Sequence, residues 1–262
     1  MNTAPLVVVH ADPSLLAEAA AARLITRLVD AQTARGSAHL VLTGGGTGIA
    51  VLAALAGSAA RDAVDWRAVD FWWGDERFLP SGHPDRNETQ ARAALLDKLR
   101  LDPDRVHPMP ASDGPYGDDV DAAARGYAEE LAAATEVYDR SDVPAFDVAL
   151  YGVGPDGHVA SLFPEHPALY ETERSVIGVR GSPKPPPVRI SLTFGAIRRA
   201  QEVWLVAAGQ EKAPAIALAL SSSAGDLAVP SAGARGTRAT LWLLDRAAAS
   251  KLPPGLPRLA SP

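Results

Sequence analysis

The 262-residue chain contains no cysteine, which excludes a disulfide framework, a thiolate nucleophile and any zinc or iron–sulfur centre held by thiolates. Histidine, carboxylate, hydroxyl, lysine and arginine remain for catalysis. Lysine is scarce too: only Lys98, Lys184, Lys212 and Lys251 stand among 25 basic residues. In a chain that otherwise uses arginine, each lysine asks for an explanation, although composition alone accounts for Lys98 and Lys251. An excess of basic charge is also missing. With 31 acidic residues the net charge is −6, which favours solubility and speaks against a broad footprint on nucleic acid, while leaving room for a local basic pocket.

No transmembrane segment is expected. Residues 37–60 carry no charged side chain and have the length of a span, yet their middle reads Thr43-Gly44-Gly45-Gly46-Thr47-Gly48. That break predicts a strand, a tight loop and a helix in water. Residues 1–10 lack the basic start and long apolar region of a secretory signal, so a cytoplasmic protein without a membrane partner is expected.

What is present is ordinary for a globular protein, with 47% hydrophobic and 21% charged residues and no internal repeat. The length allows one or two domains. No stretch reads as a linker, and a single domain over 1–262 is expected. Short apolar runs alternate with helical patterns, which predicts an α/β fold: a Rossmann-like, mostly parallel sheet flanked by helices. Strands are expected at 6–9, 40–42, 69–73, 146–151, 188–192, 203–207 and 240–244. Helices are expected at 12–35, 48–59, 87–99, 118–134 and 211–220, and the Pro-rich tail after Leu252 reads as a surface extension of little consequence.

Four polar clusters follow strands, at 43–46, 74–77, 152–158 and 209–212. Parallel strands end on one edge, where ligands bind, so these clusters are expected to meet in one crevice. The Gly-rich loop lacks the lysine of a P-loop. Its backbone N–H groups at a helix start suit a phosphate or a sugar carboxylate; a turn that merely packs the helix on the sheet fits equally well. Arg77 offers a planar fork for phosphate, with a salt bridge among Asp75, Glu76 and Arg77 as the alternative. Asn87, judged alone, reads as a helix N-cap.

Gly152, Gly154 and Gly157 have the GxGxxG spacing of a dinucleotide loop, but Pro164 breaks the helix such a loop needs and Asp156 would set a carboxylate against the pyrophosphate. Asp156 and His158 suit another chemistry. A carboxylate on one imidazole nitrogen fixes the tautomer and leaves the other nitrogen free as a base. A histidine that only satisfies turn backbone is the alternative, and His10 with Asp12 is the main competitor. Arg189, after three prolines, and Lys212, at a helix start, would add to an anion site. Neither a Gly-x-Ser-x-Gly elbow nor a His-Glu-x-x-His motif is present, so water attack assisted by a general base is the simplest chemistry left.

These motifs resemble those of the glucosamine-6-phosphate isomerase/6-phosphogluconolactonase family. Leu42-Thr43-Gly44-Gly45-Gly46-Thr47, Trp73-Gly74-Asp75-Glu76-Arg77, the run from Gly152 through Asp156-Gly157-His158-Val159-Ala160-Ser161-Leu162-Phe163-Pro164, the Pro-Arg189 segment and Gly209-Gln210-Glu211-Lys212 occur in the family's order and cover nearly the whole chain. Arg77, and Ser161 to Pro164 after the histidine, are similar to the lactonase branch; the deaminases resemble Asp-Glu-Tyr and Phe-Asn-Glu-Pro there. Arg86 departs from the family's serine. The resemblance implies the sugar isomerase/deaminase type of fold, no cofactor, and hydrolysis of 6-phosphoglucono-δ-lactone, a phosphorylated sugar lactone, in the oxidative pentose phosphate pathway; no metal site is expected, since the histidines and carboxylates lack a metal-ligand spacing. It further implies His158 and Asp156 as the catalytic pair, with Thr43, Gly44, Gly45, Gly46, Asp75, Arg77, Asn87, Arg189 and Lys212 binding substrate. A glucosamine-6-phosphate deaminase and a sugar-phosphate sensor without catalysis are the alternatives.

Overall fold

The first apolar run forms β1 (Leu6–His10), and Asp12 then starts a helix as its sequence context predicts. The Asp12 carboxylate accepts from the Leu15 N–H at 2.9 Å, filling one of the unpaired donors at a helix start. The helix, α1 (Pro13–Arg35), closes at Gly36, whose φ of +79° suits glycine. The structure is a computed structural model and describes residues 4–135, 141–221, 225–253 and 255–260. The chain continues through β2 (Ala38–Leu42), α2 (Gly45–Gly57), β3 (Val69–Trp73), β4 (Asp75–Arg77), α3 (Asn87–Ala94), α4 (Val120–Ala133), β5 (Val148–Gly152), β6 (Val176–Val179) and β7 (Arg189–Leu192). It ends with α5 (Phe194–Ile197), β8 (Glu202–Ala207), α6 (Ala213–Ala219), β9 (Ala239–Asp245) and β10 (Arg258–Ala260).

Seven strands form one sheet in the order β10-β1-β9-β8-β5-β2-β3, with every neighbouring pair parallel. A parallel sheet covered on both faces has near-continuous apolar strands; all of β3 is buried, and Trp72, Trp73 and Trp204 have no exposed surface. From β2 the chain moves outward to β3, whereas from β5 it moves the other way to β8. The reversal opens a crevice between the C-terminal ends of β2 and β5, the position where ligands bind in such sheets.

Four expectations need correction. A second, antiparallel sheet in the order β4-β7-β6 stands at this edge, and neither β4 nor β6 was expected. It is stitched to the main sheet at Gly74, whose carbonyl accepts from the Leu192 N–H at 2.9 Å while its own N–H donates to the Leu42 carbonyl at 3.1 Å. A Cβ on Gly74 would lie 2.4 Å from the Tyr151 ring. The helix expected over 87–99 stops at Ala94: Leu95 leaves helical geometry at φ −138°, and Leu96–Lys98 form a separate 3₁₀ turn. The helix expected at 48–59 starts earlier, at Gly45. The tail is structural as well: β10 pairs in parallel with β1 as the outer strand of the main sheet, while Pro254, Ser261 and Pro262 lie outside the described residues.

Candidate active site

The four polar clusters do meet in the crevice between β2 and β5. Thr43 to Gly48, Asp75, Arg77, Asn87, Gly152 to Pro155, His158, Ala160, Arg189 and Lys212 line a cavity of about 170 Å³. Thr43 Oγ1 accepts from the Gly152 N–H at 3.3 Å, tying its two rims together. The glycines are needed for close approach: a Cβ on Gly44 would lie 1.8 Å from Asn87 Oδ1, and Gly45 has a φ of +77°. Among the described residues no side chain caps the start of α2, and the N–H groups at such a helix end suit an anion.

His158 Nδ1 and Asp156 Oδ1 are 2.5 Å apart. Gly154 makes the room, because a Cβ there would lie 2.1 Å from Nδ1 and 2.5 Å from Oδ1. Partial burial works against the Asp156 anion, but the His158 hydrogen bond, the imidazole charge and Lys184 outweigh it and hold the carboxyl well below its usual range. The ring packs on Phe163 with centroids 4.6 Å apart. No helix follows Gly152 to carry a dinucleotide loop; the chain turns instead, and Ala160, φ +50°, sits in the left-handed region, the kind of backbone strain that collects at functional sites. The competing pair does not form. Asp12 caps α1, and His10 is buried with no hydrogen-bond partner on either ring nitrogen among the described residues.

Strand alternation settles the reading of Asp75-Glu76-Arg77. Asp75 and Arg77 line the pocket, Glu76 points away from it, and the three form no mutual salt bridge among the described residues. Asp75 Oδ2 accepts from Ser161 Oγ at 2.7 Å, and Oδ1 from Asn87 Nδ2 at 3.3 Å. Asn87 is therefore the first residue of α3 rather than its N-cap, with its amide committed to Asp75. Arg77 donates to the Asp85 carbonyl at 2.7 Å and retains a buried Nε without a partner among the described residues. Arg189 lies directly opposite Arg77 in the small sheet. Like charges so placed repel, and an anion between them relieves the repulsion. Much of the Arg189 fork is nevertheless occupied, donating to the carbonyls of Lys184, Pro185 and Pro186 at 3.1–3.2 Å. Lys212 follows β8; burial and the neighbouring Lys184 lower its pKa against the pull of Glu211 and Asp245.

Three residues escaped the sequence reading of the site. Lys184 Nζ lies 3.5 Å from Asp156 Oδ1 and 3.4 Å from His158 Nδ1; the scarcity of lysine was its signal. Ser161, inside the Asp156–Pro164 motif, braces Asp75. Glu76, beside the pocket, had no signal of its own. Among the described residues no three His, Asp or Glu side chains converge to hold a metal ion, and no helix is long and apolar enough to cross a membrane.

Fold and site together define an α/β protein with a carboxylate-paired histidine in the wall of a pocket lined by Arg77, Arg189 and Lys212. The chain belongs to the family of glucosamine-6-phosphate isomerases and 6-phosphogluconolactonases, which it matches over residues 11–242. It is 66% identical to a 6-phosphogluconolactonase of Streptomyces coelicolor over 256 residues, 98% of each chain. It is 50% identical to the 6-phosphogluconolactonase of Mycobacterium tuberculosis over 242 residues, 92% of this chain and 96% of the other. Among solved structures, the 6-phosphogluconolactonase of Trypanosoma brucei superposes with a TM-score of 0.82 at 29% identity, covering 97% of this chain and all of that one.

Proposed function

We propose that the chain hydrolyses 6-phospho-D-glucono-1,5-lactone to 6-phospho-D-gluconate, a lactone hydrolase step of the pentose phosphate pathway. The 2.5 Å contact between His158 and Asp156 at the wall of a cationic pocket carries this reading. With Nδ1 occupied by Asp156, His158 Nε2 takes a proton from water as the water oxygen bonds to C1. The C1 to ring-oxygen bond then breaks, and the imidazolium returns the proton to the departing ring oxygen. Arg77, Arg189, Lys212 and the N–H groups at Gly44 to Gly46 neutralise the phosphate and hold the ring, with Asp75 and Asn87 completing the pocket wall.

The deaminase alternative is not favoured: the relatives at 66% and 50% identity are lactonases by name. The interleaving of site residues from Thr43 to Lys212 supports reading 1–262 as one domain, and the reaction fits a cytoplasmic enzyme. His158→Ala is expected to lower turnover about 10²–10⁴-fold with KM little changed, measured against the spontaneous opening of the lactone. A fully active variant would remove His158 from the mechanism, and a wild-type chain no faster than the blank would favour the sensor.

A further inference from the structure

Glu76 has no accessible surface, and a carboxylate so placed needs compensation. It takes donors from two segments. Oε1 accepts from the N–H groups of Arg77 at 2.8 Å and Asn87 at 2.6 Å, and Oε2 from the N–H of Glu88 at 2.9 Å. Arg86, itself 1% exposed, brings its guanidinium to 3.8 Å from Oε2 and is anchored on the Leu79 and Met109 carbonyls at 3.3 and 2.7 Å. Burial pushes the Glu76 carboxyl up to about 7, against the pull of Arg86 and the three N–H groups.

Glu76 does not line the pocket, but Arg77 and Asn87, whose N–H groups it holds, do. The side chain of Arg86, at the cap position of α3, makes no capping bond. Glu76 supplies that cap from β4, closing the start of the helix onto the strand that carries Asp75. Asn87, held in this way, donates through Nδ2 to the Asp75 carbonyl at 2.8 Å and to its carboxylate.

We propose that Glu76 is a positioning residue of the lactone site: its buried carboxylate locks the start of α3 to β4, which sets Asn87 and, through Asn87, the Asp75 carboxylate in the pocket wall. The identity of the ligand rests on the lactonase reading; the positioning holds for any sugar phosphate bound here.

Glu76→Gln keeps the side chain's shape but replaces one acceptor oxygen with an NH₂ group that faces a backbone donor. Because it also removes one of the two carboxylates that face the buried Arg86, the other being Glu88 at 3.1 Å, the double variant Glu76→Gln with Arg86→Met, which removes both charges of the Glu76–Arg86 pair, is made beside it. In a folded variant kcat/KM is expected to fall about 10–100-fold, the scale of a small misplacement at a reacting site. In an Asn87→Ala background the same change is expected to cost less than about threefold, because the link to Asp75 is already cut. A role in stability alone would not produce that coupling.

Losses that multiply independently in the combined variant, a folded Glu76→Gln chain with the parent's kcat/KM, or loss of fold in both variants would each overturn the proposal. Calorimetric titration with 6-phosphogluconate repeats the cycle without turnover. If the wild-type chain opens the lactone no faster than the blank, the lactonase reading fails alone and the cycle is decided on this affinity. A wild-type chain that also fails to bind 6-phosphogluconate overturns both.

Discussion

Asp156→Asn tests the site at its centre. Asp156 Oδ1 lies 2.5 Å from His158 Nδ1 and 3.5 Å from Lys184 Nζ. The amide retains an oxygen for the Nδ1 proton, so the ring can keep its orientation while losing the charge that faces the imidazolium. Unit charges 4 Å apart near a protein surface interact by about 4 kcal/mol. The Asp156 side chain is 34% exposed, and solvent screening reduces this to about 2 kcal/mol, or about 30-fold in rate. Lys184 adds to the loss, because its ammonium, 3.4 Å from Nδ1, then faces the forming imidazolium with no carboxylate to offset it. A fall in kcat of about 10²-fold is expected, with KM changed less than about threefold, since the lost interaction belongs to the transition state. Opening the lactone at neutral pH releases a proton, which a pH indicator follows once spontaneous opening is subtracted. A folded Asp156→Asn chain with the parent's kcat would refute the role given to the pair.

Three further outcomes follow, two from the cations and one from the far end of β3. Arg77→Ala is expected to raise KM about tenfold while kcat stays within about threefold; an unchanged KM would place the phosphate elsewhere. Arg189→Ala should differ, because the Pro185 and Pro186 carbonyls lose the Arg189 donor and the Lys184 carbonyl keeps only Ser182 Oγ: a thermal melt should show a stability loss of about 2–4 kcal/mol alongside lower kcat, and parent-like melting would count against its anchoring role. His107 bonds Glu130 at 2.8 Å and Asp70 at 3.2 Å. Burial opposes its charge, but these two partners raise its pKa to about 9. Because the folded value exceeds the unfolded one near 6.5, the stabilisation is complete below pH 6.5 and is lost as pH rises through 9. Allowing for screening at the partly exposed Glu130, urea unfolding should lose about 1–2 kcal/mol between pH 6 and pH 10. His107→Gln should lack that slope; an unchanged slope would assign it to other groups.

Much of the architecture was legible because its signals are local. Apolar runs bounded by Gly, Pro and capping residues marked every strand of the main sheet except β10, and a polar cluster joined to the end of a parallel strand cannot leave that edge. Convergence of Thr43, Arg77, His158 and Lys212 therefore followed from chain connectivity and one rule about parallel sheets. The Asp156–His158 pair was legible for a similar reason, since its partners are two residues apart and Gly154 leaves room for both. Asn87 was half legible: its place at the start of α3 could be read, its bond to Asp75 could not.

The rest depended on contacts between distant segments. β10 has only three residues and is a strand because β1 offers an open edge. Lys184 reaches Asp156 because Arg189, five residues later, ties down the carbonyls of the segment that carries it. Glu76 stands beside two charged neighbours in sequence, yet strand alternation turns it into the interior, where the N–H groups of Arg77, Asn87 and Glu88 and the Arg86 guanidinium answer its charge. Backbone period and short-range spacing are local properties, so residue order alone indicated six strands of the main sheet, the edge where the polar clusters meet and the Asp156–His158 contact. Tertiary structure decided which charges are buried and what compensates them, because desolvation depends on the segments packed around each group.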